Sequence, residues 1–382
     1  MERKITCLWK EPRAAEAYQT AVSLHGHTLY SQENLCFITD FANKVSLFRW
    51  LLSIGERDAM RVHQIRFDFD RGYWTPPLTP SEAYEVEYKQ INERLGLRSV
   101  VSLTDHDNIR APLLLRVHKD TADVPISTEW SVPYGGGELH IGLHNLPPGD
   151  AESLLATMNA YTDSPNDSVL NQMLAELHAR KEVLIVLNHP MWDIVGAGQE
   201  IHNQAVRSFM AEHGQYIHAF ELGGLRSWEE NRAVYDLAEQ WNVAVVAGGD
   251  RHGCEPSACL NLTNTSSLAE FVGEIRNSKR SHVLFMPQYA KPLWTRMLQV
   301  VLDVTRTQPG HPLGTYWDDR TFHPDKSGAL RPVSHLWARR PWFVEGVFGL
   351  FRLLEREAIR NAIASDTRRR EQMRFLIGQE EA

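Results

Sequence analysis

Two periods alternate along this chain. Short apolar runs of strand length occur at Ala21 to Leu24, Ser99 to Leu103, Pro125 to Ser127, Leu139 to Leu143, Val183 to Leu187, His218 to Leu222, Val243 to Ala247 and His282 to Met286, with helical spacing between them. That rhythm predicts an α/β fold built on a mainly parallel sheet or barrel. Two helix starts are legible as capping boxes. Thr79-Pro80-Ser81-Glu82 opens a helix that Gly96 can close, and Ser227-Trp228-Glu229-Glu230 opens another ending near Trp241. Each leads into a predicted strand, as a βαβ alternation requires.

Two stretches depart from the rhythm. Between His27 and Thr79 lies a long excursion holding the apolar segment Val45 to Ile54 and the alternating segment Arg66 to Trp74. It reads either as a lid or specificity element or as a packing insertion, at about 33–78. A second excursion covers 145–176, punctuated by Pro147-Pro148-Gly149 and Ser164-Pro165-Asn166. Beyond about residue 290 the pattern becomes turn-rich and then helical, aromatic and basic. The expected organisation is therefore a domain over 1–290 and a C-terminal extension over 291–382.

In that extension Trp342, Phe343, Val347, Phe348, Leu350, Phe351 and Leu354 form an apolar helical surface beside Arg339, Arg340 and Arg352. Docking on the domain or on a second subunit, giving a homo-oligomer, is favoured over a membrane surface, because Glu345, Glu355 and Glu357 interrupt it. Charge is unevenly distributed: 291–382 carries 15 Lys/Arg against 11 Asp/Glu, within a chain whose net charge is −8. The acidic remainder disfavours tight nucleic-acid binding, which needs clustered Lys/Arg, without excluding a small phosphorylated substrate. No apolar run approaches membrane-spanning length, and the N-terminus lacks a secretory pattern, so a cytoplasmic location is expected. Cys7, Cys36, Cys254 and Cys259 show no metal-ligand spacing and read as reduced thiols.

Histidines and carboxylates gather where the predicted strands end: His25-Gly26-His27, Thr104-Asp105-His106, Glu129, His140, Asn188-His189-Pro190 and Gly248-Gly249-Asp250-Arg251-His252. Residues two apart project to the same side of a strand, so His25/His27 and Asp250/His252 suit shared ligation of a divalent metal. Parallel α/β barrels build active sites at that rim. This ordered set resembles the polymerase and histidinol phosphatase (PHP) family, over residues 21 to about 286.

The resemblance implies a distorted seven-stranded (β/α) barrel with two or three divalent ions. His25, His27, Glu129 and Asp250 would hold the first ion and Glu129, His140 and His189 the second, with Glu129 bridging. His106 and His252 would belong to a third site, but Gln32 occupies the position where many members carry Asp or His. That ion would be weak or rescued by Asp40 or Asp107; alternatively His106 and His252 would bond a phosphate directly. Nitrogen-rich ligands with two carboxylates suit Zn, Mn or Fe better than calcium. Arg251, Arg110 and Arg226 are candidates for the positive charge that phosphoryl transfer needs, with His252 beside them. Glu221 at another strand end reads either as a supporting residue or as a structural ion-pair partner, and His144 is left outside the metal set.

The leading expectation is a metal-dependent phosphoesterase hydrolysing a small phosphorylated metabolite or nucleotide with metal-activated water. An amidohydrolase-like enzyme acting on C–N or ester bonds is the competing chemistry, disfavoured because no lysine stands at a predicted strand end. A proofreading nuclease is less consistent with the acidic body. A metal-stabilised binding or assembly module that has lost catalysis is the non-enzymatic alternative, kept open by Gln32.

Overall fold

A computed structural model describes residues 2–35 and 68–336, with isolated positions 49, 50, 53, 57, 60, 61, 64, 66 and 349. The segment expected to form an aromatic C-terminal helix lies, apart from position 349, outside the described residues, as do Asp40 and Cys36. The chain divides into two compact units. Among the described residues the first runs over 2–31 and 78–296 and the second over 32–77 and from 297 onward.

The first unit is α/β with a mixed sheet. Its strands are β1 Glu2–Cys7, β2 Thr20–Gly26, β5 Arg98–Val101, β6 Ile126–Tyr134, β7 Gly137–Leu146, β8 Leu184–Leu187, β9 Ala219–Gly223, β10 Ala244–Arg251, β11 Cys259–Thr263 and β12 Arg280–Phe285. Each of the eight predicted apolar runs overlaps one of them. Their order is β1-β12-β11-β2-β10-β9-β8-β7-β6, with β5 on β2. Past β5 the backbone continues to bond on both sides. Thr104 N–H donates to Gly26 O at 3.0 Å, and Glu129 N–H donates to Asp105 O at 3.2 Å.

The expectation of a mainly parallel sheet needs correction. β5, β2, β10, β9 and β8 pair in parallel, but β7 runs antiparallel to both β6 and β8, and β11 antiparallel to β2 and β12. The cause is local. Gly135 and Gly136 take φ of 61° and 82°, left-handed conformations that close a tight hairpin whose twist matches that of its strands. β6 therefore returns at once as β7, with no room for a crossover helix.

The second excursion is also corrected. It forms helices Ala151–Asp163 and Asp167–Ala179, and Asn166 caps the latter by accepting from Ser168 and Val169 N–H. Leu154, Met158 and Tyr161, then Leu170, Met173, Leu174 and Leu177, recur at helical spacing and are buried. Trp130 of β6 donates to Met158 O, fixing the first of these helices on the sheet.

Both capping sites form helices, though differently. Thr79 makes the full reciprocal box over helix Pro80–Lys89. Ser227 caps helix Trp228–Gln240 by accepting from Glu230 N–H, while the Glu230 carboxylate turns to Arg226.

In the second unit, β3 Glu33–Asn34, β4 Tyr73–Trp74, β13 Thr321–Pro324 and β14 Leu330–Pro332 form a four-stranded sheet ordered β14-β13-β4-β3. The alternating segment ending at Trp74 thus pairs with chain from beyond residue 297. Arg320 is buried and donates to Val304 O, Arg306 O and Gln308 Oε1, tying off the end of helix Leu293–Thr305. No helix among the described residues is long and apolar enough to cross a membrane.

Two buried histidines give the first unit an acid sensitivity. His218 Nδ1 accepts from Ile185 N–H, and burial, then Arg276 and His178, hold its pKa down at about 2. His282 lies between Thr6 and Tyr18 hydroxyls, and burial, then Lys4, lower it to about 4. Both are neutral in the fold, whereas the unfolded chain protonates them near 6.5. The unfolded state therefore takes up more protons as pH falls, so this stability is intact above about pH 6.5 and is lost below it. Each group should cost about 2 kcal/mol between pH 7 and 5. Denaturant unfolding at the two pH values measures this, and His218→Asn, which retains an acceptor for Ile185, should show a shallower loss. An unchanged pH slope in the variant would refute the assignment.

Candidate metal centre

The centre is organised around one carboxylate. Glu129 lies within β6, 1% exposed, and its two oxygens face different partners. Oε2 is 2.9 Å from His25 Nε2, 3.3 Å from His27 Nε2 and 3.4 Å from His106 Nε2. Oε1 is 3.1 Å from His189 Nε2 and 3.2 Å from His140 Nδ1, and it accepts from Asn188 Nδ2 at 2.9 Å. Asp250 Oδ1 joins the first group, 3.7 Å from both His25 and His27 Nε2.

The backbone reaches this arrangement through unusual dihedrals. His25, His189 and Asp250 take φ of 61°, 27° and 47°. Such left-handed residues are strained away from glycine and concentrate at functional sites. At Asp250 the β10–β2 register also shifts, between Gly248 and Arg251. His140, by contrast, lies early in β7, because that strand runs against its neighbours and its first half meets the ends of the others.

The outer nitrogen of most of these rings is anchored. His25 Nδ1 bonds Glu221 Oε2 at 2.6 Å, His27 Nδ1 bonds Ser31 Oγ at 3.1 Å, and His140 Nε2 bonds Glu138 Oε1 at 3.2 Å. His252 Nδ1 approaches Asp250 O at 3.0 Å. Anchoring one nitrogen fixes ring orientation and leaves the other available as a lone-pair donor. Gly248 makes room for one anchor: a Cβ there would lie 2.3 Å from Glu221 Cδ.

The electrostatics call for positive charge. His25 and His27 Nε2 stand 3.0 Å apart, facing two carboxylates. Lone pairs and anionic oxygens converge, an arrangement that a cation relieves. Burial disfavours charge on His25, yet Glu129 and Glu221 raise its pKa well above the imidazole range. Burial likewise opposes charge on His140, which Glu129 and Glu138 raise to about 10. Burial alone would raise Glu129, but His25, His106 and His140 hold it well below the carboxylate range. His189 goes the other way, lowered by burial to about 3, and its Nδ1 is buried without a hydrogen bond. The donor set fits divalent metal: ligand atoms of His25, His27 and Glu129 lie within 4.8 Å of one another, as do those of His106, Glu129 and His140. A further histidine grouping, His27, His106 and His252, meets the same limit.

The arginine expectations separate. Arg251 is buried in an ion pair with Glu87 at 3.2 Å and donates to Gly253 O and His27 O. These contacts brace the strand end. Although it stands between Asp250 and His252 in sequence, strand alternation sends it elsewhere. Arg110 is exposed, its guanidinium 4.7 Å over the Tyr30 ring. Arg226 reaches a carboxylate of the cluster with its side chain, at 2.8 Å from Asp250 Oδ2.

Other residues also find definite positions. Asp107 is turned to the backbone, accepting from Ser131 N–H, and Gln32 is exposed in the second unit. His144 bonds Ser102 Oγ, and burial, then His25, lower it to about 3, the behaviour of a neutral core imidazole. Sequence reasoning missed Glu138, although its spacing of two from His140 on one strand puts both on one face. It also passed over Asn188, quoted with His189 but given no role.

No family model and no curated protein sequence matches the chain. Solved structures do. A proposed metal-dependent phosphoesterase from Bifidobacterium adolescentis aligns with TM-score 0.37 and 12% identity over 69% of this chain and 96% of that one. PsfC from Pseudomonas syringae aligns with TM-score 0.36 and 14% identity over 72% and 95%. An amidohydrolase from Chromobacterium violaceum, with bound sulfate and no metal, aligns with TM-score 0.33 and 15% identity over 58% and 91%. Likeness of this degree assigns no residue, and the metal centre stands on its own side chains.

Glu221→Gln offers a test of the anchoring. It keeps the size of the side chain but removes the charge that holds the His25 ring, so divalent-metal affinity should fall about 10–100-fold. Isothermal titration with Zn²⁺ or Mn²⁺ measures this, with circular dichroism to confirm an unchanged fold. Affinity equal to that of the parent protein would show that Glu221 is a bystander.

Proposed function

We propose that this chain is a metal-dependent phosphoesterase whose sheet closes into a distorted seven-stranded barrel. The backbone bonds from Thr104 to Gly26 and between Asp105 and Glu129 support that closure, since they join the β5 end of the path to β6. The single observation that carries the functional reading is the division of Glu129 between two sets of imidazoles. On it we assign His25, His27, Glu129 and Asp250 to one ion and Glu129, His140 and His189 to a second. His106 and His252, with His27, face the substrate side or a third ion.

Nitrogen-rich donors with two carboxylates suit Zn, Mn or Fe. Bound together, such ions lower the pKa of water and offset charge on phosphoryl oxygens. The chain's own groups do the positioning. Glu221 and Glu138 hold His25 and His140, while Ser31 holds His27. Arg226, one of the three candidate arginines, holds Asp250 and brings fixed positive charge to the rim. A small phosphorylated compound is the substrate class.

The test compares a phosphomonoester, a phosphodiester, a carboxyl ester and an amide with protein loaded with Mn²⁺, Fe²⁺ or Zn²⁺. Phosphate release that chelator abolishes is expected. His189→Ala should remove one ion and lower kcat/KM by at least about a hundredfold. Metal-dependent cleavage of the carboxyl ester or amide alone would replace this reading with amidohydrolase-type chemistry. No release with any metal, or full activity and metal content in His189→Ala, would overturn it.

A further inference from the structure

Beside the cluster stands a large aromatic ring that the metal assignment leaves unused. Trp192 follows His189 by three residues and keeps 41% of its surface exposed, although most tryptophans are highly buried. Its ring centroid is 5.2 Å from that of His189 at a steep interplanar angle, and the Arg226 guanidinium lies 3.9 Å from its centroid. Through Arg226 the indole connects to Asp250, and through His189 to Glu129. Trp192 thus touches neighbours on both sides of the shared carboxylate.

The loop carrying it is built to hold still. Trp192 N–H donates to His189 O, and the Asp193 carboxylate accepts from Ala197 and Gly198 N–H at 3.1 and 2.7 Å. Gln199 Nε2 donates to Met191 O, and His202 Nε2 lies 2.9 Å from Pro190 O. An exposed ring on a braced loop has already lost the freedom that binding would otherwise take from it, which favours recognition.

We propose that Trp192 is a specificity-determining wall that stacks on a planar aromatic group joined to the phosphate of the substrate. The proposal rests on the phosphoesterase reading and narrows its substrate class to phosphate monoesters of aromatic or heteroaromatic groups. Arg226, packed against the same ring, fixes the indole and adds positive charge where the phosphate arrives. A planar π-face beside a cation suits an anion attached to a flat ring.

Calorimetric binding of phenyl phosphate and methyl phosphate to the metal-loaded protein, under conditions without turnover, isolates the ring. The parent protein should prefer phenyl phosphate about five- to tenfold, the scale of one aromatic pair. Trp192→Phe should keep most of that preference, and Trp192→Ala should reduce it to about twofold or less. Trp192→Leu, apolar but without a ring, should behave like the alanine variant and decides the matter if that variant fails to fold. No preference in the parent protein, or equal weakening of both ligands in Trp192→Ala, would overturn the proposal. A selective binding preference together with no phosphate release in the metal-loaded turnover assay would leave the wall standing and instead defeat the phosphoesterase reading.

Discussion

Glu129 is a charged carboxylate almost wholly removed from water, and the first unit is arranged around the need to compensate it. An isolated buried carboxylate costs many kcal/mol and would ordinarily protonate. Here it does the reverse, held ionised by the imidazoles around it. Most of those imidazoles are themselves buried, and Glu221, Ser31 and Glu138 fix the rings of His25, His27 and His140. Removing any one partner leaves charge stranded, which is why such clusters are far more sensitive to single deletions than surface ion pairs.

The sheet converts that local demand into a fold. Five parallel strands bring their C-terminal ends to the cluster; β6 runs in the same direction and continues past it, and β7 returns against its neighbours, so Glu129 and His140 reach it from within strands. His25, His189 and Asp250 take left-handed backbone conformations where the chain turns their side chains inward, at or just past the end of a strand. A second buried network, Glu87 with Arg251, Ser23 and Ser257, braces the region from behind: Ser257 donates to Glu87 through both N–H and hydroxyl. Arg251 belongs to that brace. Its proximity in sequence to Asp250 and His252 is a consequence of strand geometry, which alternates neighbours between structure and site.

Much of this was legible in the residues. The apolar runs located eight strands because buried strands read as continuous hydrophobic segments, and Thr79 announced its helix through side-chain chemistry that acts over only three residues. The histidine and carboxylate positions that structure brings together stood out by residue type and by spacing of two. What escaped notice depended on direction. Gly135-Gly136 signalled a hairpin, yet the alternation of strands and helices invited a parallel reading. β1 and β11 lie against neighbours distant in sequence, and no local pattern names such partners. The helices after residue 150 were hidden by prolines that in fact separate and flank them. Glu221 stood out as a strand-end carboxylate, but that it holds His25, and that Glu138 holds His140, is read from the ring each one touches.

The most direct measurement on a shared carboxylate is X-ray absorption of the metal-loaded protein beside its Glu129→Gln variant. A bridging Glu129 predicts metal–metal scattering at about 3.5–4 Å in the parent protein, and loss of that feature with a fall in metal content in the variant. Isolated ions without such scattering, or a pair that survives the substitution intact, would contradict it.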